Sequence, residues 1–373
     1  MNEAYEPLFQ SITLRSGVEL KNRIVMAPMT NFSSNPEGTV SDDEVAYYAR
    51  RSGGVGTVIT ACTYVTENGK GFHGEFAAYD DAFIPSLRRL AAAIQERGAK
   101  AVLQIFHGGR SCPKELVPNG DVVSASSIPD EAEGAVVPRA LEEAEVWDIV
   151  RAFGDATRRA IEAGYDGVEI HGANGYLIQQ FFSPHSNRRT DAFGGSLEKR
   201  MTFPLAVVDE VQRVVREHAK GPFIVGYRFS PEEPTSPGIT MDDTLSLVDA
   251  LATKQLDYLH VSLMDFSSMP RSGEDTSVSR LTLIQNQVGG RVPVIGVGNI
   301  HTPTEALKAM QTGVPLIALG RELIMEPDWV EKVEQGRESE IAITLPKDAR
   351  QRLVVPDPLW QAIMNAPGWF PVV

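Results

Sequence analysis

The chain has 373 residues, 42% of them hydrophobic and 23% charged, and its 35 basic and 49 acidic side chains give a formal charge of −14. This is ordinary for a soluble protein with one sizeable core, and a field this negative repels phosphate backbones, which argues against a nucleic-acid surface. Two cysteines, Cys62 and Cys112, cannot build a disulfide framework, a four-thiolate zinc site or an iron–sulfur cluster. No metal site is therefore expected, and reduced thiols fit a cytoplasmic protein.

The first ten residues lack the basic start and apolar run of a signal peptide, and no stretch approaches the roughly 18 apolar residues of a membrane span. Next, Ser11–Leu14 and Val18–Leu20 flank Arg15-Ser16-Gly17, which predicts a short hairpin able to plug the N-terminal mouth of a barrel. Short β-branched runs then alternate with longer amphipathic segments, the pattern of parallel strands linked by crossover helices. Strands are expected at Ile24–Ala27, Val55–Thr60, Ala101–Phe106, Gly167–His171, Phe223–Phe229, Tyr258–Ser262, Val294–Gly298 and Leu316–Gly320. Helices are expected at Phe83–Arg97, Ala144–Ala163, Met201–His218, Thr244–Lys254 and Pro303–Thr312, the last opened by the capping sequence Thr302-Pro303-Thr304-Glu305.

Eight strand–helix units fit an α/β fold, a (β/α)₈ TIM barrel occupying residues 1–373 as a single domain. One connection is too long for a simple unit. Residues 108–140, rich in Pro, Gly, Ser and acid, leave the C-terminal end of the third strand, where barrel active sites lie. A lid over substrate and a disordered surface insertion are both open readings. The tail, 331–373, carries Trp360, Trp369 and Phe370, which points to packing on the barrel or on a partner subunit and leaves a homo-oligomer open.

Three groups of residues carry chemistry. His171, Asn174 and Tyr176 follow directly on the strand Gly167–Ile170. If a helical turn starts there, His171 and Asn174 share a side and offer two donors to one oxygen, while Tyr176 brings a phenol able to protonate carbon. Gly298-Asn299 and Gly320-Arg321 end the seventh and eighth strands, where close backbone approach and an arginine fork suit a phosphate. Pro28-Met29-Thr30, Gln104 and Arg228 put polar groups at strand ends that should be apolar. A flavin ring needs such an amide, cation and hydroxyl, and a buried arginine needs an anionic partner, either a protein carboxylate or a cofactor. His107 reads as a loop-positioning residue, and Asn187, Arg188, Asp191 and Arg200 as a structural network. No Gly-x-Gly-x-x-Gly follows a strand, so a Rossmann nicotinamide site is not supported.

From Leu20-Lys-Asn-Arg-Ile-Val-Met-Ala-Pro-Met-Thr30 to Gly320-Arg-Glu-Leu-Ile-Met-Glu-Pro-Asp-Trp329 the chain resembles the old yellow enzyme family of NAD(P)H:flavin oxidoreductases. The most specific stretch runs from His171-Gly-Ala-Asn-Gly-Tyr176 to Asp191-Ala-Phe-Gly-Gly-Ser196. The resemblance implies a barrel holding non-covalent FMN, with phosphate near Gly298, Asn299, Gly320 and Arg321 and ring contacts from Pro28, Met29, Thr30, Ala61, Gln104 and Arg228. It implies that NADH or NADPH reduces the flavin and is replaced in ping-pong order by an activated alkene, an α,β-unsaturated carbonyl or nitro compound. His171 and Asn174 would hold the substrate oxygen, hydride would pass from FMN N5 to the β-carbon, and Tyr176 would protonate the α-carbon. Thr30 stands where one bacterial branch has a redox-tuning cysteine, Phe32 where it often has a substrate-contacting tyrosine, and Thr60-Ala-Cys62 is not the commonest ending of the second strand. The alternatives are a flavin-binding protein without ene-reductase turnover and a non-redox phosphate-binding barrel, the latter needing a lysine or carboxylate base at a strand end.

Overall fold

The structure, a computed structural model, describes residues 2–132, 134–273 and 276–373. Its centre is a ring of eight parallel strands: β1 (Ile24–Met26), β2 (Thr57–Ile59), β3 (Lys100–Phe106), β4 (Gly167–Gly172), β5 (Ile224–Phe229), β6 (Tyr258–Val261), β7 (Val294–Val297) and β8 (Leu316–Leu319). Each pairs with the next in sequence and β8 returns to β1, so the sheet closes as a TIM barrel. Every strand falls within two residues of its expected position. Helices Ile84–Gln95, Glu143–Ala163, Thr202–His218, Met241–Ala252 and Pro303–Met310 match expectation, while Asp42–Arg51 and Arg280–Val288 were not anticipated. Thr302 and Glu305 close the expected capping box.

Side chains alternate across each strand, so the barrel has two cores. Helices cover the outer one. Inside, Val25, Ile59, Val102, Ile224, Ile295 and Leu316 form a separate cluster with Leu14, Val18 and Leu20. Those three leucine and valine side chains come from the predicted hairpin, in which Ile12–Thr13 pairs antiparallel with Glu19–Leu20 and caps the N-terminal end. Above this apolar floor the inward positions turn polar: Gln104, Glu169, His171, Arg228 and His260 are all buried.

A break in β2 changes which side chain reaches the interior. Ile59 pairs with Val102, and the next paired residue, Thr63, meets Ile105, so β2 takes four steps against three on β3. The extra residue is a β-bulge, which re-aims the side chains beyond it. Cys62 thereby takes the inward register level with Gln104.

In the segment after β3, 3₁₀ turns form at Gly109–Ser111, Lys114–Leu116 and Pro118–Gly120 and a ladder joins Val123–Ser124 to Arg139–Ala140, while residue 133 lies outside the described residues. Gln180 ties this segment down, its amide nitrogen donating to the carbonyls of Gly108 and Gly175 and its oxygen accepting from Arg110 N and Ser124 Oγ. The tail packs on the barrel through helix Asp357–Met364, with Trp360 and Phe370 buried.

Gly226 on β5 is fixed by packing, because a Cβ there would lie 2.1 Å from Tyr258 Cζ inside the barrel. Gly226→Ala should therefore cost about 1–3 kcal/mol by overpacking, read as a lower denaturant midpoint with an unchanged slope. A wild-type midpoint would contradict the tight inward packing of Tyr258.

Candidate active site

Two cavities open at the C-terminal end of the barrel and share Pro28, Met29 and Arg228. The larger is bordered by Gly298, Asn299, Gly320 and Arg321. The smaller is lined by Thr30, Cys62, Gln104, His171, Asn174 and Tyr176. Twelve of the thirteen sequence-predicted residues thus line one continuous mouth. Ala61 does not. It sits in the bulge, its N–H given to Tyr48 Oη at 2.7 Å, and Cys62 lines the cavity in its place.

The trio converges by a route different from the one expected. No helical turn starts at His171, which is still in β4; Asn174 instead adopts left-handed backbone at φ 57°, followed by Gly175 at φ 77°. That tight reversal carries Tyr176 back beside His171, with ring centroids 5.0 Å apart at 86°.

Hydrogen bonds then set which atoms face the cavity. Ala173 N–H donates to His171 Nδ1 at 3.2 Å. Burial, reinforced by the charge of Arg228 and by His260, holds the ring well below its ordinary pKa, so it is neutral and carries its proton on Nε2. Ser262 Oγ donates to Asn174 Oδ1 at 2.8 Å, leaving the Asn174 amide N–H₂ as the free donor. Tyr176 lies edge-on to Phe106 and Phe72, and burial, followed by the neighbouring Cys62 and Glu75, pushes its phenol pKa up, so it stays protonated. His171 Nε2–H, Asn174 Nδ2–H and Tyr176 O–H are three neutral donors in one small space.

The residues also fit FMN. Arg228 is buried, its Nη2 donates to Ser262 at 3.2 Å, and its Nε has no partner. A buried guanidinium with an unused N–H at a cavity wall calls for an anionic or carbonyl ligand. No ion pair joins it to a carboxylate among the described residues; Glu169 acts on it only through space. At the other end Gly298 has φ 129°, and a Cβ there would meet Asp265 N at 2.8 Å, so only glycine lets the chain leaving β7 pack against that loop and turn at the cavity rim. Arg321 is aimed by two bonds, Nη1 to Trp369 O at 2.7 Å and Nη2 to Asn299 Oδ1 at 3.3 Å.

Sequence reading missed Cys62, Trp369, His301 and Glu322 at this mouth. His301 joins Glu322 at 2.8 Å and Asn299 at 3.2 Å; its place just beyond β7 was the available signal. The tail, expected only to pack, also supplies Trp369 to the cleft. His107 positions its loop as expected, accepting from Gly109 N at 2.9 Å. Asn187 and Arg200 bond the carbonyls of Phe181, Phe193, Phe182 and Gly195 as the structural network predicted.

The NADH:flavin oxidoreductase / NADH oxidase family profile matches residues 7–340. The chain belongs to this family. It is accordingly a flavin enzyme of the old yellow enzyme type, working with FMN and reduced nicotinamide. It is 55% identical to the probable NADH-dependent flavin oxidoreductase YqiG of Bacillus subtilis, over 100% of this chain and 99% of that one. It is 43% identical to the NADH:fumarate oxidoreductase of Klebsiella pneumoniae, over 95% of this chain but only 39% of that protein. Among solved structures, morphinone reductase in complex with tetrahydroNAD superimposes with a TM-score of 0.77 at 26% identity, over 98% of this chain and 97% of that one. No helix among the described residues is long and apolar enough to cross a membrane.

Two outcomes follow from this geometry. Gly298→Ala should weaken FMN retention about tenfold, on the order of 1.4 kcal/mol, in a fluorescence titration of apoprotein; unchanged affinity would separate the flavin from this backbone. Glu75 is a buried carboxyl that accepts from Cys62 Sγ at 3.2 Å and from Gly71 N at 2.9 Å, and burial, only partly opposed by these bonds, pushes its pKa up to about 8. Its folded pKa exceeds its unfolded one, so the stability tied to this proton is present at acid pH and lost as pH rises through about 8. Glu75→Gln should flatten the decline in denaturation midpoint between about pH 4.5 and 8, and a parallel decline in both proteins across that window would refute the assignment.

Proposed function

We propose that the chain is an ene-reductase that uses NADH or NADPH to reduce an electron-poor C=C bond, with His171, Asn174 and Tyr176 as its catalytic residues. The carrying observation is that hydrogen bonding leaves His171 Nε2–H and Asn174 Nδ2–H as two donors beside the Tyr176 hydroxyl, in the cavity that Arg228 also lines.

FMN, when bound, supplies the two-electron transfer, taking hydride from nicotinamide and giving it to the acceptor. The protein's own groups do the rest. His171 and Asn174 receive the carbonyl or nitro oxygen of the substrate, and both donors strengthen as negative charge builds there, which makes the β-carbon electrophilic. Tyr176 holds a proton throughout the working pH range and releases it to the α-carbon only as carbanion character develops. Phe72 and Phe106, packed edge-on to the phenol, exclude water from that proton's path. Arg228 favours negative charge on the ring, Thr30, in contact with Cys62 at 3.9 Å, offers a hydroxyl near it, and Pro28, Met29 and Gln104 complete the ring's bed. Gly298, Asn299, Gly320 and Arg321 hold its phosphate.

The names of two relatives support an activated alkene as the acceptor: NADH:fumarate oxidoreductase of Klebsiella pneumoniae and NADH:acrylate oxidoreductase of Vibrio harveyi both name α,β-unsaturated carboxylates, although this chain spans only 39% and 35% of them. A non-redox barrel would need a lysine or carboxylate base at a strand end; no lysine lines either cavity among the described residues, and the carboxylate that does, Glu322, is engaged by His301 at 2.8 Å.

The deciding experiment is an absorbance spectrum of the purified protein, followed by anaerobic NADH or NADPH and then cyclohexenone. Flavin bands should bleach and then return, whereas a colourless protein that cannot be reconstituted with FMN would remove the reading, and bands that bleach but never return with any enone would leave flavin binding without ene-reductase turnover. Tyr176→Phe should slow reoxidation by enone about 10²–10⁴-fold while leaving reduction by nicotinamide within a few-fold; equal loss of both half-reactions would deny Tyr176 its role as proton donor.

A further inference from the structure

Below the cavity that Gln104, His171 and Arg228 line lies a buried carboxylate that the proposed reaction does not use. Glu169, inward on β4, accepts from Gln104 Nε2 at 2.7 Å through Oε1, and its Oε2 meets His260 Nδ1 at 2.8 Å. The Glu169 and His260 side chains are both at 0% exposure. No arginine or lysine pairs with Glu169 among the described residues, and the charge that faces it from the neighbouring strand is Arg228. His260 Nε2 is buried without a hydrogen-bond partner, and the buried Tyr258 hydroxyl lies close to Glu169 without meeting it in hydrogen-bond geometry.

These contacts have a geometric consequence for Gln104. A carboxylate can only accept, so it takes the amide N–H₂ and turns the Gln104 carbonyl oxygen toward the mouth that Gln104 lines. The reversed amide would set two acceptors against each other at 2.7 Å.

We propose that Glu169 is a positioning residue for the cofactor: it fixes Gln104 with its carbonyl outward to accept the N–H of the flavin's pyrimidine edge, and its charge offsets Arg228, keeping the bound flavin a stronger reductant than Arg228 alone would leave it. The inference rests on the flavin reading above. Burial pushes the Glu169 pKa up, but His260, Arg228 and Gln104 outweigh it and keep the group ionised. Burial, aided by Arg228 and opposed by Glu169, keeps His260 neutral. The pair therefore carries one negative charge, opposite Arg228, with Tyr258 facing it as a neutral phenol held protonated by burial and by Glu169.

The test is the two-electron midpoint potential of FMN bound to wild type, Glu169→Gln and His260→Gln, by dye equilibration, with circular dichroism as the check on folding. Glu169→Gln keeps the shape and removes the charge, so reduction should become at least tenfold more favourable, a positive shift of about 30 mV for a two-electron couple. His260→Gln keeps a neutral donor to Glu169 and should move the equilibrium less than twofold. A folded, yellow Glu169→Gln protein with the wild-type potential overturns the proposal, as does a His260→Gln shift as large as that of Glu169→Gln. Should Glu169→Gln fail to fold, Glu169→Asp decides: it keeps the charge but retracts from Gln104, so the potential should hold while FMN affinity falls about tenfold, and wild-type affinity would overturn the positioning role. A wild-type protein that binds no FMN overturns the functional reading itself, which separates that failure from this one.

Discussion

Arg228 carries a full charge to a position that water barely reaches, and the mouth of the barrel is arranged around that fact. Isolating a guanidinium in a low-dielectric interior costs several kcal/mol unless other groups replace its hydration. Burial accordingly lowers the Arg228 pKa, while Glu169 acts in the opposite direction through space. One bond to Ser262 and an unused Nε–H leave the cation only partly satisfied. The site is thus prepared for a ligand that brings negative charge or a carbonyl edge, and it gains most when that ligand becomes more negative. This is the preference a flavin enzyme needs, because affinity for the reduced cofactor over the oxidised one is the same quantity as a shift in potential.

The two-residue period of the strands places Arg228 there and excludes alternatives. Inward positions on β4, β5 and β6 come in register as Glu169 with Gly226 and Tyr258, then as His171 with Arg228 and His260. The lower layer can hold the large Tyr258 ring only because β5 contributes a glycine to it. The upper layer is polar on three consecutive strands, and its charge is balanced from below. An apolar floor sealed by the hairpin, a charged layer and an open mouth follow one another along the barrel axis. Water entering from the top meets groups already bonded to one another, and the low local dielectric strengthens each of those bonds.

How far this was legible depends on the range of the contact. The strands could be read because each is a compact β-branched run, and the phosphate glycines because they follow such runs directly. The trio was legible as a set but its geometry was misread: three residues of spacing suggested a helical face, whereas a left-handed Asn174 and Gly175 make the turn, which the Asn-Gly pair itself signals in the sequence. Ala61 was displaced by Cys62 through a bulge that exists only in the pairing of β2 with β3. Glu169 and His260 each interrupt an apolar strand and could have been flagged for that alone. Their connection could not, since Glu169 reaches Gln104 across 65 residues of sequence and His260 across 91. The expectation that Arg228 has an anionic partner was framed as carboxylate or cofactor, and the structure supplies the carboxylate at a distance and leaves the direct contact open.

The two ends of the mouth are held by segments that the barrel pattern does not require. On the substrate side, Gln180 makes four bonds that lock the segment after β3 to the Gly175 turn, so the backbone presenting Asn174 and Tyr176 is braced from behind. On the phosphate side, the tail carbonyl of Trp369 and the amide oxygen of Asn299 hold the Arg321 fork in place. An arginine fixed in this way loses little further rotamer entropy when an anion arrives, so more of the contact energy is available for binding. The same holds for His171, whose tautomer is set by a backbone N–H two residues on. Preorganisation at both ends means that a long, rigid ligand has its two termini located independently, and its ring is left to settle against Arg228 and Gln104. The orientation of the ring is then decided where the protein's own charges are balanced most closely.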